Sequence, residues 1–328
     1  MRRAASFSES FRELGLLVFI VIICAAVQLR NPAFLTISNI EDLLTNTAIL
    51  SILAVGMMMV ILTRGIDLSV GATIALAGMV SALTVNSFRA ISPILSILEG
   101  MAVGTLAGVL IGILIGRFNV LPIIATLGFM NVLRGLTYVV SKGAWVSAYQ
   151  MSDGFKAIAS GGVAGISTPI IIAVAINLVF FYFINHMKTG RQIYAVGSNP
   201  EAADISGIPR RRIILLVYTV QGALAGLGGV IWVAKFASAQ SDTALGFELS
   251  VIAATVLGGV SISGGSGKVS GLILGTILFG ILNNALPLIN VSPFWQQAIQ
   301  GVVILAAVLV NVLVKRNSQR VALRRRAI

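Results

Sequence analysis

Long apolar runs separated by short polar breaks extend along the chain from residue 14 to residue 314. An α-helix needs about 20 mostly apolar residues to cross about 30 Å of hydrocarbon, and these runs have that length. The pattern predicts an all-α polytopic membrane protein with about ten transmembrane helices. The predicted spans are 14–29, 45–63, 68–86, 93–116, 120–141, 169–186, 213–234, 247–262, 269–286 and 294–314.

The polar segments divide the chain around one transmembrane domain, residues 14–314, with tails at 1–13 and 315–328. Two polar segments between the runs, 142–168 and 187–212, are long enough to have a role of their own outside the membrane. The first is rich in glycine and serine, and either contacts a partner outside the membrane or packs as a plain loop.

The distribution of positive charge predicts which side of the membrane each segment faces. The chain has 23 Lys and Arg residues against 11 acids. With the N-terminus inside, 17 of the basic residues face inward, five face outward, and Arg134 lies within a span. This asymmetry follows the positive-inside rule and predicts that both termini are cytoplasmic. The basic clusters beside apolar runs indicate topology and contact of the 315–328 tail with anionic lipid, rather than nucleic-acid binding.

Residues that usually carry chemistry are sparse. Cys24 is the only cysteine and His186 the only histidine, so the sequence predicts no disulfide and no metal site. The segment 264–268 resembles a nucleotide-binding loop, but Val269 replaces the hydroxyl residue that such a loop requires. We therefore predict that the chain binds no cofactor and is not itself an enzyme.

Two glycine-framed turns resemble each other. Gly65–Gly71 follows the second span and Gly259–Gly265 closes the eighth, with three identities in seven positions. The similarity indicates a weak two-half internal repeat, a common way of building transporters, or chance similarity between glycine-rich segments.

The segment 187–212, predicted to face the cytoplasm, contains the signals of a short helix. Asn199 is a capping residue, Pro200 suits the first helical position, and Glu201 is an acid in the first turn. Small residues continue the helix until Gly207 ends it, and Pro209 prevents its extension.

This pattern, Glu201-Ala202-Ala203-x-x-x-Gly207, resembles the cytoplasmic loop of binding-protein-dependent ATP-binding-cassette permeases. Other segments resemble the monosaccharide permeases within that group, whose known types carry ribose, xylose, arabinose, rhamnose or autoinducer-2, and the similarity covers about residues 40 to 314. These segments are Thr63–Gly71, Leu121–Gly128, Gly190–Ala203 and Val256–Gly267. The turn in the first of them carries Gly65, Asp67, Ser69 and Gly71.

The resemblance implies a permease subunit of the bacterial inner membrane that imports a monosaccharide. It also implies three kinds of partner: an ATPase subunit that hydrolyses ATP with Mg²⁺, a periplasmic sugar-binding protein, and a second permease subunit, identical or not. The short helix that begins at Asn199 would dock into the ATPase. The family often has glycine where Arg64 stands, so the resemblance implies no role for that residue, which is close enough in sequence to pair with Asp67.

Polar side chains within the spans are the candidates for a solute path, because such groups are costly in lipid unless they face a partner or a cavity. Amides and hydroxyls suit a neutral sugar, although each of them is also suited to hydrogen bonding between helices. The candidates are Asn46, Thr47, Thr126, Asn131, Gln221, Asn283, Asn284 and Gln296.

Three charged residues near or within spans allow more than one interpretation. Arg134 and Glu99 fall in outer halves of their spans, which predicts a structural ion pair ahead of a role in solute binding. Asp67 is predicted to lie at the cytoplasmic boundary. Its predicted role there is to stabilise a turn or cap a helix; the alternative, a proton carrier, is less consistent with its glycine-rich flanks.

Two other functions compete with sugar import. A permease for branched-chain amino acids or nucleosides belongs to the same superfamily, but an amino acid favours strong charged anchors in the path, which the spans do not clearly provide. An ion-coupled secondary transporter requires carboxylates inside the membrane, and the predicted spans hold almost none away from their ends.

Overall fold

The computed structural model of the chain describes residues 2–292, 294–303, 305–306 and 309, with side chains from residue 13 onward. Two 3₁₀ turns, at Pro32–Leu35 and Ala148–Gln150, and one antiparallel hairpin of β1 (Gly162–Val163) and β2 (Ile166–Ser167) accompany the helices. The helices are α1 (Arg2–Arg30), α2 (Ile37–Leu62), α3 (Val70–Ser87), α4 (Pro93–Gly116), α5 (Pro122–Ser141), α6 (Asp153–Ser160), α7 (Thr168–His186), α8 (Lys188–Ser198), α9 (Pro200–Ile205), α10 (Arg210–Phe236), α11 (Phe247–Leu257) and α12 (Val269–Leu288).

Eight helices in the described part of the chain are long and apolar enough to cross a membrane: α1, α2, α3, α4, α5, α7, α10 and α12. They coincide with eight of the predicted spans, and the boundaries of α4 agree to the residue. The all-α polytopic fold class is therefore confirmed. The predicted span at 294–314 extends beyond the described residues, of which 294–303 are helical.

The predicted span at 247–262 is wrong in length. Its helix, α11, has 11 residues and ends at Leu257. At 1.5 Å per residue it rises about 16 Å, roughly half of the hydrocarbon thickness. The helix stops there because the backbone turns at Gly258 and Gly259, the second of which has a φ of 85°.

The core is centred on α10, which packs along α4, α3 and α2. Its contact with α4 is a seam of glycines: a Cβ on Gly222 would overlap the carbonyl oxygen of Gly104, and one on Gly226 would overlap that of Gly100. Small residues allow this backbone approach, which is what holds membrane helices together where lipid supplies no hydrophobic drive.

The segments predicted to face the same side of the membrane meet at the same end of the bundle. At the end that the charge asymmetry assigns to the cytoplasm, here called the inner end, the Leu62 carbonyl accepts a hydrogen bond from the Gly265 amide (2.9 Å). At the opposite, outer end, Asn31 donates to the Leu288 carbonyl (2.7 Å). The cytoplasmic location of both termini stays a prediction.

Segment 142–168 is folded against the outer end. The Val146 and Ala239 backbones exchange two hydrogen bonds of 3.0 Å, and Phe155 of α6 is buried. On the exposed side of α6, the Lys156 ammonium lies 2.8 Å from Asp153 and lowers the pKa of that carboxyl by hydrogen bonding and by its charge. Packing therefore accounts for this segment, and contact with an outside partner stays a prediction.

Both turns that the sequence pairs lie between helices: Gly65–Gly71 follows α2 and leads into α3, and Gly259–Gly265 lies between α11 and α12. The structure suggests another pairing, of Gly65–Gly78 with Gly246–Gly259, which are identical at seven of fourteen positions. Each of these segments ends an irregular stretch after a long helix and begins the next helix. A repeat of whole halves stays a prediction.

Candidate functional site

The short helix predicted between Asn199 and Gly207 is present as α9. The Asn199 side chain accepts a hydrogen bond from the Ala202 amide (3.1 Å), with Pro200 at the first helical position and Glu201 exposed in the first turn. Ala203 is 3% exposed and packs the helix onto the protein. The local cap therefore forms as the sequence predicts.

The end of α9 is closed by a Schellman motif. The Gly207 amide donates to the Asp204 carbonyl and the Ile208 amide to the Ala203 carbonyl, both at 3.0 Å. Gly207 has a φ of 73°, which favours glycine. Ile205, the last residue of α9, belongs to no motif in the sequence, and the structure leaves it 88% exposed.

A second helix, α8, supports α9 and was not predicted from the sequence. It turns Ile193 and Val196 into the core and its polar residues outward. Its close contact with α7 depends on Gly190, where a Cβ would overlap the Ile184 carbonyl. The 187–212 segment is thus two packed helices, and its amphipathic pattern at a period of 3.6 residues was the available signal.

Arg64 ties this pair of helices to the end of α2. Its Nε donates to the Gly197 carbonyl (2.6 Å), and its Nη2 donates to the Ser198 carbonyl (2.8 Å). The sequence suggests pairing of Arg64 with Asp67, and the structure contradicts it. The guanidinium instead reaches 133 residues along the chain, to the junction between α8 and α9.

The glycine-rich turn after α11 completes the inner end. The Gly265 amide binds the Leu62 carbonyl, and the Tyr194 hydroxyl donates to the Gly267 carbonyl (2.7 Å). At Gly197 a Cβ would overlap the Leu62 carbonyl. The ends of α2 and α8 and the turn after α11 are therefore in direct backbone contact. We call the set Arg64, Gly197, Ser198 and Gly265 the inner clamp.

The family-motif turn lies behind the inner clamp. Asp67 is only 3% exposed, and one carboxylate oxygen accepts from the Ser69 amide (2.9 Å) and hydroxyl (2.6 Å). This arrangement is a side-chain turn, the first of the two roles predicted for Asp67. The place of Asp67 at the membrane boundary stays a prediction. Gly65 packs on the Tyr218 hydroxyl, and Gly71 packs against Glu248.

Arg134 does not pair with Glu99, contrary to the prediction. Its Nη1 donates to the carbonyls of Ser241 and Thr243, both at 2.8 Å, while Glu99 accepts a hydrogen bond from Thr84 (2.7 Å). The guanidinium thus donates hydrogen bonds, within a span, to backbone carbonyls that accept none from a helix or a strand. Arg134 fixes the irregular segment between α10 and α11.

Comparison with known proteins identifies the family of the chain. The profile of the family described as "Branched-chain amino acid transport system / permease component" matches residues 39–308. The chain belongs to this permease family. It is 39% identical over 297 residues to the ribose import permease protein RbsC of Escherichia coli K12, covering 90% of this chain and 92% of that one.

The permease has similar relatives in other bacteria and for another sugar. RbsC of Bacillus subtilis is 39% identical over 306 residues, covering 93% of this chain and 94% of the relative. The L-arabinose transport system permease protein AraH of Escherichia coli K12 is 34% identical over 308 residues, covering 93% and 92%. No solved structure matches the chain. With eight apolar helices in the part that the structure describes, the permease is a multi-pass protein of the inner membrane.

The eight residues predicted to line a solute path do not form one site in the permease. Three are buried in its own packing: Thr47 lies against Gly280, Thr126 donates to the Pro122 carbonyl, and Gln221 lies against Gly56. Gln221 is fully buried, and its amide has no partner among the described residues. In this conformation these three side chains are therefore covered by the protein itself, and their place in a solute path stays a prediction.

The other candidates are more accessible but dispersed. Asn284 exchanges hydrogen bonds with Asn39, Asn283 accepts from Gln300, and Gln296 donates to the Val291 carbonyl. Asn131 is exposed on α5, and Asn46 is exposed on α2, where it accepts from Lys235 (2.8 Å). A polar residue in an apolar run does not itself reveal which neighbour it meets.

Proposed function

We propose that the chain is the translocating subunit of an importer that is driven by a separate ATPase and carries a monosaccharide. The observation that supports the ATPase most directly is α9: a capped helix at the inner end, with Glu201 and Ile205 exposed. A helix fixed at both ends and joined to α2 through the inner clamp is suited to transmit a conformational change of a soluble ATPase to the membrane helices.

The proposed substrate rests on the relatives. Proteins 34–39% identical over nearly the whole chain are named for ribose and arabinose import. The family description, in contrast, names branched-chain amino acids. We favour a monosaccharide because the similarity to the sugar permeases extends over the membrane helices as well as the inner segments.

The remaining partners follow from the same proposal. A periplasmic sugar-binding protein would deliver the solute to the outer end, and a second permease subunit would pair beside α5, where Gly128 and Gly135 are open to a neighbour. ATP and Mg²⁺ would bind the ATPase subunit and not this chain.

Uptake by the assembled transporter tests the substrate. We expect ATP-dependent accumulation of radiolabelled ribose or arabinose in proteoliposomes that contain the permease, its ATPase and its binding protein. Accumulation of leucine, with neither sugar transported, would contradict the monosaccharide and support the amino-acid alternative. Uptake driven by a proton gradient without the ATPase would contradict the ATP-driven importer altogether.

Co-purification tests the docking helix. Ile205→Asp should reduce recovery of the ATPase subunit with the tagged permease at least tenfold, because it places a charge in an apolar contact. Ile37→Asp is the matched control, since Ile37 is 86% exposed at the outer end. Equal recovery with both variants would contradict docking at α9.

A further inference from the structure

The chain between α10 and α11 enters the membrane from the outer side without regular structure. The long helix α10 ends at Phe236, whereas α11 covers about half of the bilayer before the inner-end turn. Residues 237–246 must therefore cover the outer half. Irregular backbone at membrane depth is tolerated only where it is buried in protein or lines a water-filled cavity. In transporters, such interruptions mark solute sites.

Three aromatic rings lie beside this segment. Trp232 and Phe236 are one turn apart on α10, with ring centroids 5.2 Å apart, and Phe247 at the start of α11 meets the Trp232 ring edge-on at 4.8 Å. Phe236 is 51% exposed, whereas Trp232 and Phe247 are half-buried. We call these three residues the aromatic shelf. Nothing in the core requires an exposed ring at this position.

Charged and polar groups border the same face. Lys235 lies on the same turn of α10 as Phe236, with its ammonium 5.9 Å from the centre of that ring. The ammonium donates a hydrogen bond to the Asn46 side-chain oxygen (2.8 Å) and lies 3.9 Å from an Asp42 carboxylate oxygen, both on successive turns of α2. The Lys235 side chain is 14% exposed, whereas that of Asp42 is 70% exposed. An exposed carboxylate is costly against hydrocarbon, so the face is suited to water or to a polar ligand.

We propose that the aromatic shelf, with Lys235, Asn46 and Asp42, is a subsite for a neutral sugar at the outer mouth of the path. A sugar ring has a face of C–H groups that packs on an aromatic ring and an edge of hydroxyls that both donate and accept hydrogen bonds. Lys235 donates, Asp42 accepts, and the Asn46 amide does both. The lysine and the aspartate balance in charge, which favours a neutral solute over an acid. This inference rests on the proposed function and adds the place where the sugar first meets the permease.

Thiol labelling tests whether the face is open to water and to sugar. Asn46→Cys is made in a Cys24→Ser background, in the transporter assembled with its ATPase and binding protein. A charged, membrane-impermeant methanethiosulfonate should modify Asn46→Cys at least tenfold faster than Val174→Cys, an exposed apolar position near the outer start of α7. Ribose should slow the modification severalfold. Equal rates, as expected for two lipid-facing positions, would overturn the proposal, and so would labelling that ribose does not slow.

Transport tests the shelf itself. Phe236→Leu and Trp232→Leu should lower the maximal rate of ribose uptake at least fivefold, with ATPase assembly unchanged. Phe181→Leu is the control, because Phe181 is similarly exposed (45%) on α7. Uptake by the shelf variants that equals the control would overturn the subsite. If the proposed function itself is wrong, the result differs from a failure of the subsite, because the wild-type transporter would then import neither ribose nor arabinose.

Discussion

The Nε of Arg64 lies 2.6 Å from the carbonyl oxygen of Gly197, across 133 residues of sequence. This hydrogen bond and its neighbour to Ser198 connect the end of α2, at the core of the bundle, to the junction that carries α9. The contact joins a surface helix to the transmembrane helices by two donors of one rigid, planar group.

Arg64→Ala should weaken coupling without unfolding the permease. Each of the two hydrogen bonds contributes about 0.7 kcal/mol here, near the low end of the usual range, because Arg64 is exposed. We expect uptake to fall about tenfold, the factor that corresponds to about 1.4 kcal/mol, while the ATPase subunit still co-purifies. Arg64→Lys should restore only part of the rate, because the lysine ammonium cannot reproduce the planar pair of donors that the guanidinium presents.

The control for Arg64 is Arg117→Ala. Arg117 is also exposed and follows α4 at the inner end, so it removes the same charge from the same side. Uptake that falls equally in both variants would show that charge matters and the contact with Gly197 does not.

Gly207→Ala should loosen α9. A non-glycine residue at a φ of 73° costs about 1–2 kcal/mol, which is enough to fray a six-residue helix, and we expect several-fold lower recovery of the ATPase subunit. Gly165→Ala imposes the same strain in the outer hairpin, where φ is 80° and a Cβ also meets nothing within 4 Å. Both variants should lose similar stability, and only Gly207→Ala should lose the ATPase; equal loss in both would contradict a role for α9.

Gly222→Val should destabilise the whole permease. Its side chain would overlap the Gly104 carbonyl and force α10 from α4, at a cost of about 3 kcal/mol. We expect a lower midpoint of thermal aggregation in detergent. Gly15→Val on α1 is the control, since nothing lies within 4 Å of its Cβ position. An unchanged midpoint for Gly222→Val would contradict the close contact between α10 and α4 at the glycine seam.

Asp67→Asn distinguishes a turn from a proton carrier. Asparagine keeps the oxygen that accepts from Ser69 but cannot ionise, so uptake should remain within about twofold of wild type if the side-chain turn is what matters. Asp67→Ala removes the acceptor and should reduce both uptake and thermal stability. Loss of transport in Asp67→Asn, with stability intact, would instead support proton carriage.

The parts of the structure that sequence predicts well are those set by local chemistry. The cap and stop of α9 depend on residues within a few positions of each other, and the spans follow from apolar length. The α11 boundary was missed because apolar residues continue to Ile262, although the chain already turns at Gly259.

Contacts between distant segments were beyond sequence reasoning. The charges of Asp67 and Arg134 suited the pairings predicted for Arg64 and Glu99, yet Arg64 binds backbone carbonyls and Glu99 binds a threonine hydroxyl. The positions of the path candidates depend on packing in the same way, because Gln221 and Asn46 are both amides in apolar runs and only packing buries the first and exposes the second. The similarity of Gly65–Gly78 to Gly246–Gly259 can be read from the sequence, but the structure shows that a helix begins within each of them.

The uninterrupted length of α10 has a mechanical consequence. Its 27 residues extend about 40 Å, from Arg210 beside α9 to the turn that carries Lys235. Between these ends the glycines of α4 meet α10 along most of its length, from Gly116 beside Arg211 to Gly100 beside Gly226. Because the two backbones are in contact over this length, we expect α4 and α10 to move as one rigid pair. A tilt of about 5° about the middle of α10 would displace its two ends by almost 2 Å in opposite directions, by simple geometry on that length. Such a tilt would couple opening at one face of the bilayer to closing at the other.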